Sequence, residues 1–230
     1  MSKYIFIFCL ALIISSCKNE KQSDVTTETT VVKEVSIAEK IANAHGYDHW
    51  DVVTEIQFTF NVDKDSTHFE RQWKWFPKEN KVELIKNTEN TISYNRNAVD
   101  SLAMTIDKGF INDKYWLLAP FNLVWDEGTS VSEPTKEVAP ISNNTLNKIT
   151  LTYSNNGGYT PGDAYDIFYG DDYLIKEWIY RRGNSAEPTM ATTWEDYETF
   201  GGLKIAKSHK KSGENWNLNF TNIKVISKSL

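Results

Sequence analysis

Apolar and polar residues alternate along residues 52–62 and again along residues 69–76. This period of two predicts β-strands with one buried side and one side facing solvent. In the first segment Phe58 and Phe60 share the apolar side, and in the second Trp73 and Trp75 do so. A third apolar segment, residues 82–86, follows turn-forming residues. The pattern therefore predicts an antiparallel meander in this part of the chain.

The C-terminal third repeats the strand pattern. Strands are predicted over residues 148–154, 163–169, 173–181, 189–197, 203–210 and 216–226. Glycine-containing turn signals separate these segments, as at Asn156-Gly157-Gly158 and at Gly201-Gly202. With the first three segments, about nine strands are expected.

Two parts of the chain have helical periodicity instead. Ser36 and Glu39 have the spacing of a capping box, and Gly46 is placed to end the helix that follows. Residues 97–107 also carry apolar side chains at helical spacing, and residues 110–125 are strongly apolar. We expect one or two short helices there, broken at Pro120. Residues 126–145 read as a long polar loop, which is typical of a functional or disordered segment.

These elements predict an α+β fold in one domain, residues 36–230. An alternating sheet needs its apolar side covered, and two amphipathic helical segments are available to cover it. The expected architecture is an antiparallel curled sheet, an incomplete β-barrel, with helices on its open side. Periodicity does not determine whether the space between the sheet and the helices is hollow or packed.

The N-terminus has the organisation of an export signal. Lys3 precedes an apolar run over residues 4–14, which is too short for a stable transmembrane helix. The segment IISSC, which ends at Cys17, resembles a bacterial lipobox. The resemblance implies a signal peptide at residues 1–16 and diacylglycerol on the Cys17 sulfur, followed by a further acyl chain on its amine. The alternatives are an ordinary secretory signal and an uncleaved anchor.

Residues 17–35 are therefore predicted to be an acylated cysteine followed by a flexible polar tether. Two or more acyl chains hold a protein stably on a membrane, so we expect a cell-envelope protein anchored by lipid. The outer membrane is the expected location, on either its periplasmic or its surface-exposed face. Lys18 and Glu20 make the start of the tether similar to a surface-export signal of some Gram-negative lineages, with Asn19 in place of an acid. A generic solvated tether explains these residues equally well.

Composition narrows the classes of partner. The formal net charge is −6, and an acidic chain without a basic stripe argues against nucleic acid and against electrostatic docking on anionic lipid. The two cysteines are Cys9 and Cys17, so the mature domain has no internal disulfide. Eight Trp, eleven Tyr and eleven Phe suit strands, apolar cavities and sugar-binding platforms alike.

Two polar clusters could suggest metal ions. His45 and His49 would share one side of a continuous helix, but Gly46 breaks the helix between them, so a helix-to-strand turn is the better interpretation. Asp163, Asp166, Asp171 and Asp172 are dense in acid but match no calcium loop. No metal or cofactor is expected.

No nucleophile elbow, phosphate-binding loop or zinc-protease motif is present in the sequence. We therefore expect a protein that is not an enzyme. A pair of carboxylates for glycoside hydrolysis needs no local motif, so a hydrolase remains a third alternative. Five tryptophans could form a sugar platform, but core and cavity lining is the better interpretation, because two of them share the apolar side of their strand. The five are Trp73, Trp75, Trp178, Trp194 and Trp216.

Three segments carry a family resemblance over roughly residues 36–228. They are AHGYDHW at 44–50, DAYDIFYGDDYLIKEWIYRRG at 163–183 and TTWEDYETFGGLKIAKSHKK at 192–211. Together with the order of the elements, they resemble the lipoprotein-carrier superfamily of LolA-, LolB- and LppX-like proteins. Ala206 stands where proline is common in that group. The resemblance implies a half-barrel whose concave face holds acyl chains or another apolar ligand.

The predicted function is thus a membrane-anchored, monomeric lipoprotein that binds or carries a lipid or a lipoprotein acyl chain. The alternative is a surface lipoprotein that binds carbohydrate or a protein partner and has no internal cavity. The predicted ligand contacts are the apolar side of the first two strands and the covering helical segment, namely Phe58, Phe60, Trp73, Trp75, Trp116, Leu118, Phe121 and Trp125.

The anchoring prediction has a direct test. Cys17→Ser should abolish acylation, because no other cysteine remains in the mature chain. Cells that express each form are labelled with a radioactive fatty acid, and the protein is recovered on a gel. A mutant labelled as strongly as the wild type would contradict the lipoprotein assignment.

Overall fold

The computed structural model describes residues 34–228. The predicted signal peptide, Cys17 and nearly all of the predicted tether lie outside the described residues, and the boundaries assigned there remain predictions. From Val35 onward the chain forms one compact unit.

The first helix, α1, spans Ile37–Ala44 and begins at the predicted capping box. The Ser36 hydroxyl accepts a hydrogen bond from the Glu39 backbone N–H at 3.2 Å, and the Ser36 N–H donates to the Glu39 carboxylate at 2.8 Å. The helix ends at His45, and Gly46 follows with φ of 88°. A Cβ on Gly46 would lie 2.1 Å from the Gly202 carbonyl oxygen, so this end of the helix requires glycine.

A seven-stranded antiparallel sheet contains the first and the last strand of the described residues. Its order is β11-β12-β13-β1-β2-β3-β4. The strands are β1 Val53–Lys64, β2 Thr67–Phe76, β3 Lys81–Asn87, β4 Asn90–Asn95, β11 Glu195–Phe200, β12 Leu203–Lys210 and β13 Trp216–Ser227.

A six-stranded antiparallel sheet forms the rest of the framework. Its order is β10-β9-β8-β7-β5, and β6 also pairs with β7. The strands are β5 Thr129–Val131, β6 Thr135–Val138, β7 Thr145–Tyr153, β8 Ala164–Tyr169, β9 Ile175–Arg181 and β10 Met190–Thr193. Because β5 and β6 lie within residues 126–145, the predicted long loop is wrong in part.

The two sheets meet where the chain passes from β10 to β11. Trp194 alone separates these strands, so the strand predicted over residues 189–197 is divided between the two sheets. The Trp194 N–H donates to the Lys176 carbonyl oxygen at 2.8 Å, and the Lys210 N–H donates to the Thr193 hydroxyl at 3.0 Å. Within the described residues the sheets do not close into a barrel, which confirms the predicted curled α+β fold.

The second helix, α2, spans Ser101–Trp125 and is longer than predicted. Asp100 caps its start by accepting from the Ala103 N–H at 2.7 Å. The two predicted helical segments join into one element with a kink at Leu118, where φ is −129° and ψ is 25°. Pro120 explains the position of the kink, because a proline ring clashes with the carbonyl group four residues before it.

A buried carboxylate joins α2 to the seven-stranded sheet. Asp113 has no exposed surface, and the Arg71 guanidinium donates to its two oxygens at 2.7 and 2.6 Å. The Trp73 indole N–H donates to it at 2.8 Å. One and a half turns earlier, Asp107 accepts from the Tyr94 hydroxyl at 3.0 Å and from Arg96 at 2.8 Å.

Aromatic side chains pack against both flanks of α2. On one flank Phe110 lies edge-on to Trp73 and Trp75, with ring centroids 5.5 and 5.6 Å apart. On the other flank Trp116 lies 4.7 Å from Trp178 of the six-stranded sheet. The helix thus lies in the trough between the two sheets and fills their apolar side.

Ser36→Ala should lower the free energy of unfolding by about 0.5–2 kcal/mol, because it removes the acceptor for the Glu39 N–H. Urea denaturation measures the change, with the exposed Ser93→Ala of β4 as control. An unchanged urea midpoint would place residue 36 in the tether, outside the cooperative unit.

Arg71→Gln should lower the free energy of unfolding by roughly 3–5 kcal/mol, because it leaves the Asp113 carboxylate buried without a counter-charge. The control is Lys207→Gln, which removes the exposed pair with Glu198 and should change stability by less than about 1 kcal/mol. A further variant with both Arg71→Gln and Asp113→Asn should lose less than the sum of the two single changes. Additive losses would show that the pair is not coupled.

Candidate functional site

A cleft lies between α2 and strands β8, β9 and β10. We call it the tyrosine cleft, and its volume is about 190 Å³. Its lining residues are Asn112, Tyr115, Trp116, Tyr159, Thr160, Tyr165, Trp178, Tyr180 and Met190.

The rings of the tyrosine cleft support one another. Tyr115 and Tyr159 are stacked at 3.8 Å with an 8° angle between the ring planes. Tyr165 lies 5.1 Å from Trp178 and 5.2 Å from Tyr180. Such contacts add to the stability gained from burial alone, so the shape of the wall is held by packing.

The hydroxyl groups of these tyrosines are all within hydrogen-bond distance of other protein groups, which leaves mainly ring carbon to face the cleft. Burial also raises the pKa of Tyr115 and of Tyr165, so both phenols stay neutral. The hydroxyl contacts are Tyr159 to Asn112 at 3.3 Å, Tyr165 to Thr160 at 3.2 Å, Tyr180 to Asp163 at 2.8 Å, and Tyr115 to Tyr153 at 3.2 Å.

Trp178, which lines the tyrosine cleft, has a polar atom without a hydrogen-bond partner. Its indole N–H is buried and makes no hydrogen bond to any group in residues 34–228, and the same holds for the Trp194 indole N–H and for His209 Nε2. Trp194 lies 5.1 Å from Trp178 and 4.4 Å from His209. Burial lowers the pKa of His209 to about 3, so its ring is neutral.

A second cleft opens on the other flank of α2. We call it the tryptophan cleft, and its volume is about 230 Å³. Trp50 forms its centre, with ring centroids 5.4 Å from Trp75 and 5.0 Å from Trp125. Its lining residues are Trp50, Trp75, Pro77, Lys78, Lys114, Trp125 and Asp126.

Lys114 brings a positive charge to the tryptophan cleft. Its Nζ lies 5.0 Å from the centroid of the Trp125 ring and 6.0 Å from that of Trp75. Burial lowers the pKa of Lys114 to about 8, although the nearby Asp126 opposes this shift. The Asp126 carboxylate itself accepts from the Tyr153 hydroxyl at 2.7 Å, and burial raises its pKa.

The structure distributes the eight predicted ligand residues over three environments. Trp75 and Trp125 line the tryptophan cleft, and Trp116 lines the tyrosine cleft. The other five are buried in the core and line neither cleft, and their contact with a ligand remains a prediction. These five are Phe58, Phe60, Trp73, Leu118 and Phe121.

The sequence pattern did not predict three of the lining residues, Tyr165, Tyr180 and Lys114. Strand β8, which contains Tyr165, is buried on both sides, so the alternation that identifies an inward side is absent. Lys114 could have been identified from the sequence, because it is the one cation in residues 109–125, the strongly apolar segment. A charge there indicates either a partner or a binding role.

The possible metal clusters are separated in the structure. His45 is buried with Nδ1 2.8 Å from the Ile41 carbonyl oxygen, whereas His49 is exposed. Burial lowers the pKa of His45 to about 4. Asp163 and Asp166 bind Tyr180 and Arg181 respectively. In residues 34–228 no three His, Cys, Asp or Glu side chains are grouped to hold a metal ion.

Four of the five tryptophans considered for a sugar platform are buried, as the alternative of core and cavity lining requires. Trp73, Trp75, Trp178 and Trp194 are each less than 10% exposed.

No helix within residues 34–228 has the length and apolar character needed to cross a membrane.

Comparison with solved structures finds similarity over most of the chain. A DUF1329 family protein from Desulfovibrio piger ATCC 29098 matches with a TM-score of 0.45 and 8% identity, covering 82% of this chain and 91% of the other. A domain from Vibrio parahaemolyticus, classed as an outer membrane lipoprotein-sorting protein, matches with a TM-score of 0.43 and 8% identity. This second match covers 84% of this chain and 95% of the other. No protein-family model and no curated protein matches the sequence.

Proposed function

We propose that the protein is a lipid-anchored envelope lipoprotein that binds a segment of an apolar ligand, such as an acyl chain, in the tyrosine cleft. The main support is the state of the tyrosine hydroxyl groups. Because protein groups already engage them, the cleft offers ring surfaces to a ligand. Burying hydrocarbon against such surfaces is favourable by roughly 25 cal/mol per Å² before the entropic cost of binding.

The size of the cleft limits the ligand. Small-molecule sites usually enclose about 300–1,000 Å³. The tyrosine cleft, at about 190 Å³, is smaller than that range. It therefore suits part of a hydrocarbon chain, and the remainder of a lipid would lie outside it.

The same lining argues against the other candidate functions. A sugar needs several accessible donors and acceptors, whereas the tyrosine hydroxyls of this lining are already engaged by protein groups. The lining contains no carboxylate, histidine, serine or cysteine that could act as acid, base or nucleophile. Binding without catalysis is accordingly the function proposed.

The test introduces a charge at the edge of the tyrosine cleft. Met190→Glu should weaken fatty-acid binding by roughly tenfold or more, because the carboxylate must be desolvated when hydrocarbon enters. Met190→Leu, an apolar swap of similar volume, should retain most of the affinity. Displacement of a fluorescent fatty acid is measured on the unacylated domain, residues 18–230.

The control is Met104→Glu, because Met104 is 51% exposed on α2 and lines neither cleft. Circular dichroism verifies that each variant is folded. Equal affinity in the wild type and Met190→Glu would contradict binding in this cleft. Binding of neutral oligosaccharides in place of fatty acid would favour the carbohydrate alternative.

A further inference from the structure

The tryptophan cleft differs from the tyrosine cleft in charge. Three indole rings, from Trp50, Trp75 and Trp125, form its apolar wall. Lys114 and Lys78 are the cations of its lining, and Asp126 is the one acid. The lining therefore combines a broad apolar surface with a local excess of positive charge.

Lys114 forms no direct ion pair within residues 34–228, although Asp126 lies in the same cleft. Its ammonium group makes no ion pair or hydrogen bond with any group in residues 34–228, and its nearest aromatic contact is the Trp125 ring at 5.0 Å. Cation–π contact compensates only part of the loss of hydration of an ammonium group. An anion placed beside Nζ would supply the remaining interaction.

Asp126 lines the same cleft and attracts Lys114 without forming an ion pair or hydrogen bond with it. Its carboxylate accepts instead from the Tyr153 hydroxyl at 2.7 Å. The other charged groups that influence Lys114 are Arg96 and Asp107, which are paired with each other at 2.8 Å. Lys114 is thus left facing the cleft as a cation available to a ligand.

We infer that the tryptophan cleft binds the anionic end of an amphipathic molecule, with Lys114 pairing to a carboxylate or phosphate and the three tryptophan rings covering the adjoining hydrocarbon. This is a second site, independent of the ligand in the tyrosine cleft. The shared chemistry is a singly attached anionic group on an apolar body, which fatty acids and phospholipid-like phosphates both have.

The experiment compares three twelve-carbon probes that carry different head groups. Laurate, dodecyl phosphate and neutral dodecanol, each below its micelle or solubility limit, are titrated into the unacylated domain, residues 18–230, and tryptophan fluorescence reports binding. Inorganic phosphate alone forms a fourth arm. Binding of laurate only, or of dodecyl phosphate only, identifies which anion the site prefers.

In the Met190→Glu background, where binding in the tyrosine cleft is weakened, Lys114→Gln should weaken the binding of laurate or dodecyl phosphate by roughly tenfold or more and change dodecanol binding by less than about twofold. The matched control is Lys108→Gln, an exposed lysine on the same helix, which should change neither affinity. Because Lys114→Gln removes a poorly hydrated charge, its urea midpoint should be at least that of the wild type.

A pH series gives a second readout on the wild type. The anionic probes should bind more weakly as pH rises from 7 to 9.5, because Lys114 loses its charge around its pKa of about 8. Dodecanol binding should stay constant over this range. In the Met190→Glu background, a folded Lys114→Gln variant with undiminished affinity for the anionic probes would overturn the inference, as would an equal loss for dodecanol.

The proposals for the two clefts can be rejected separately. If Lys114→Gln binds laurate normally while Met190→Glu does not, the anion site is rejected and the proposed function of the tyrosine cleft stands. If Lys114→Gln loses anion binding and Met190→Glu does not, the tryptophan cleft is the ligand site. Binding of inorganic phosphate as tightly as dodecyl phosphate would contradict a role for the tryptophan wall.

Discussion

The buried carboxylate of Asp113 constrains the centre of this domain. An ionised group without exposed surface is stable only where charged and neutral donors surround it. Arg71 and Trp73, both on the inward side of β2, supply such donors at 2.6–2.8 Å. The rotation and height of α2 above the seven-stranded sheet follow from this geometry. The ring contacts of Phe110, one turn earlier, are consistent with the same placement.

Once α2 is held there, its two flanks face different surroundings. Residues 112, 115 and 116 turn toward the six-stranded sheet and form one wall of the tyrosine cleft. Lys114 and Trp125 turn toward Trp50 and Trp75 and form the tryptophan cleft. A single helix thereby separates an uncharged aromatic cleft from one that contains a cation. The two clefts consequently differ in the charge and polarity of their linings.

Side chains of α2 fill the concave side of the sheets within residues 34–228. An apolar ligand therefore has no open space there. Phe58, Trp73 and Phe121 pack against their neighbours with no more than 1% of their surface exposed. A ligand that displaced them would have to open the core, which is packed at nearly crystalline density. Clefts at the flanks of the helix need no such opening. Binding at the flanks is therefore compatible with a stable core.

The sequence by itself determined the elements whose stabilisation is local or periodic. The capping box at Ser36 and the strands of alternating parity were predictable, and the strand expected over residues 203–210 matches β12. Strands β4, β5 and β6 were not predicted. They are short, largely polar and lie toward the edges of the sheets, so their stability comes from pairing with a neighbouring strand.

Only the tertiary structure determined where the clefts lie and which residues line them. Tyr165 and Tyr180 reach α2 from strands that are distant in sequence, and no local pattern specifies which buried ring will border a cleft. The kink of α2 at Leu118 and the pairing of Arg71 with Asp113 likewise depend on contacts between separate elements. Periodicity reports which side of an element is buried. It does not report what that side meets, because the partner is chosen when the sheets and helix pack together.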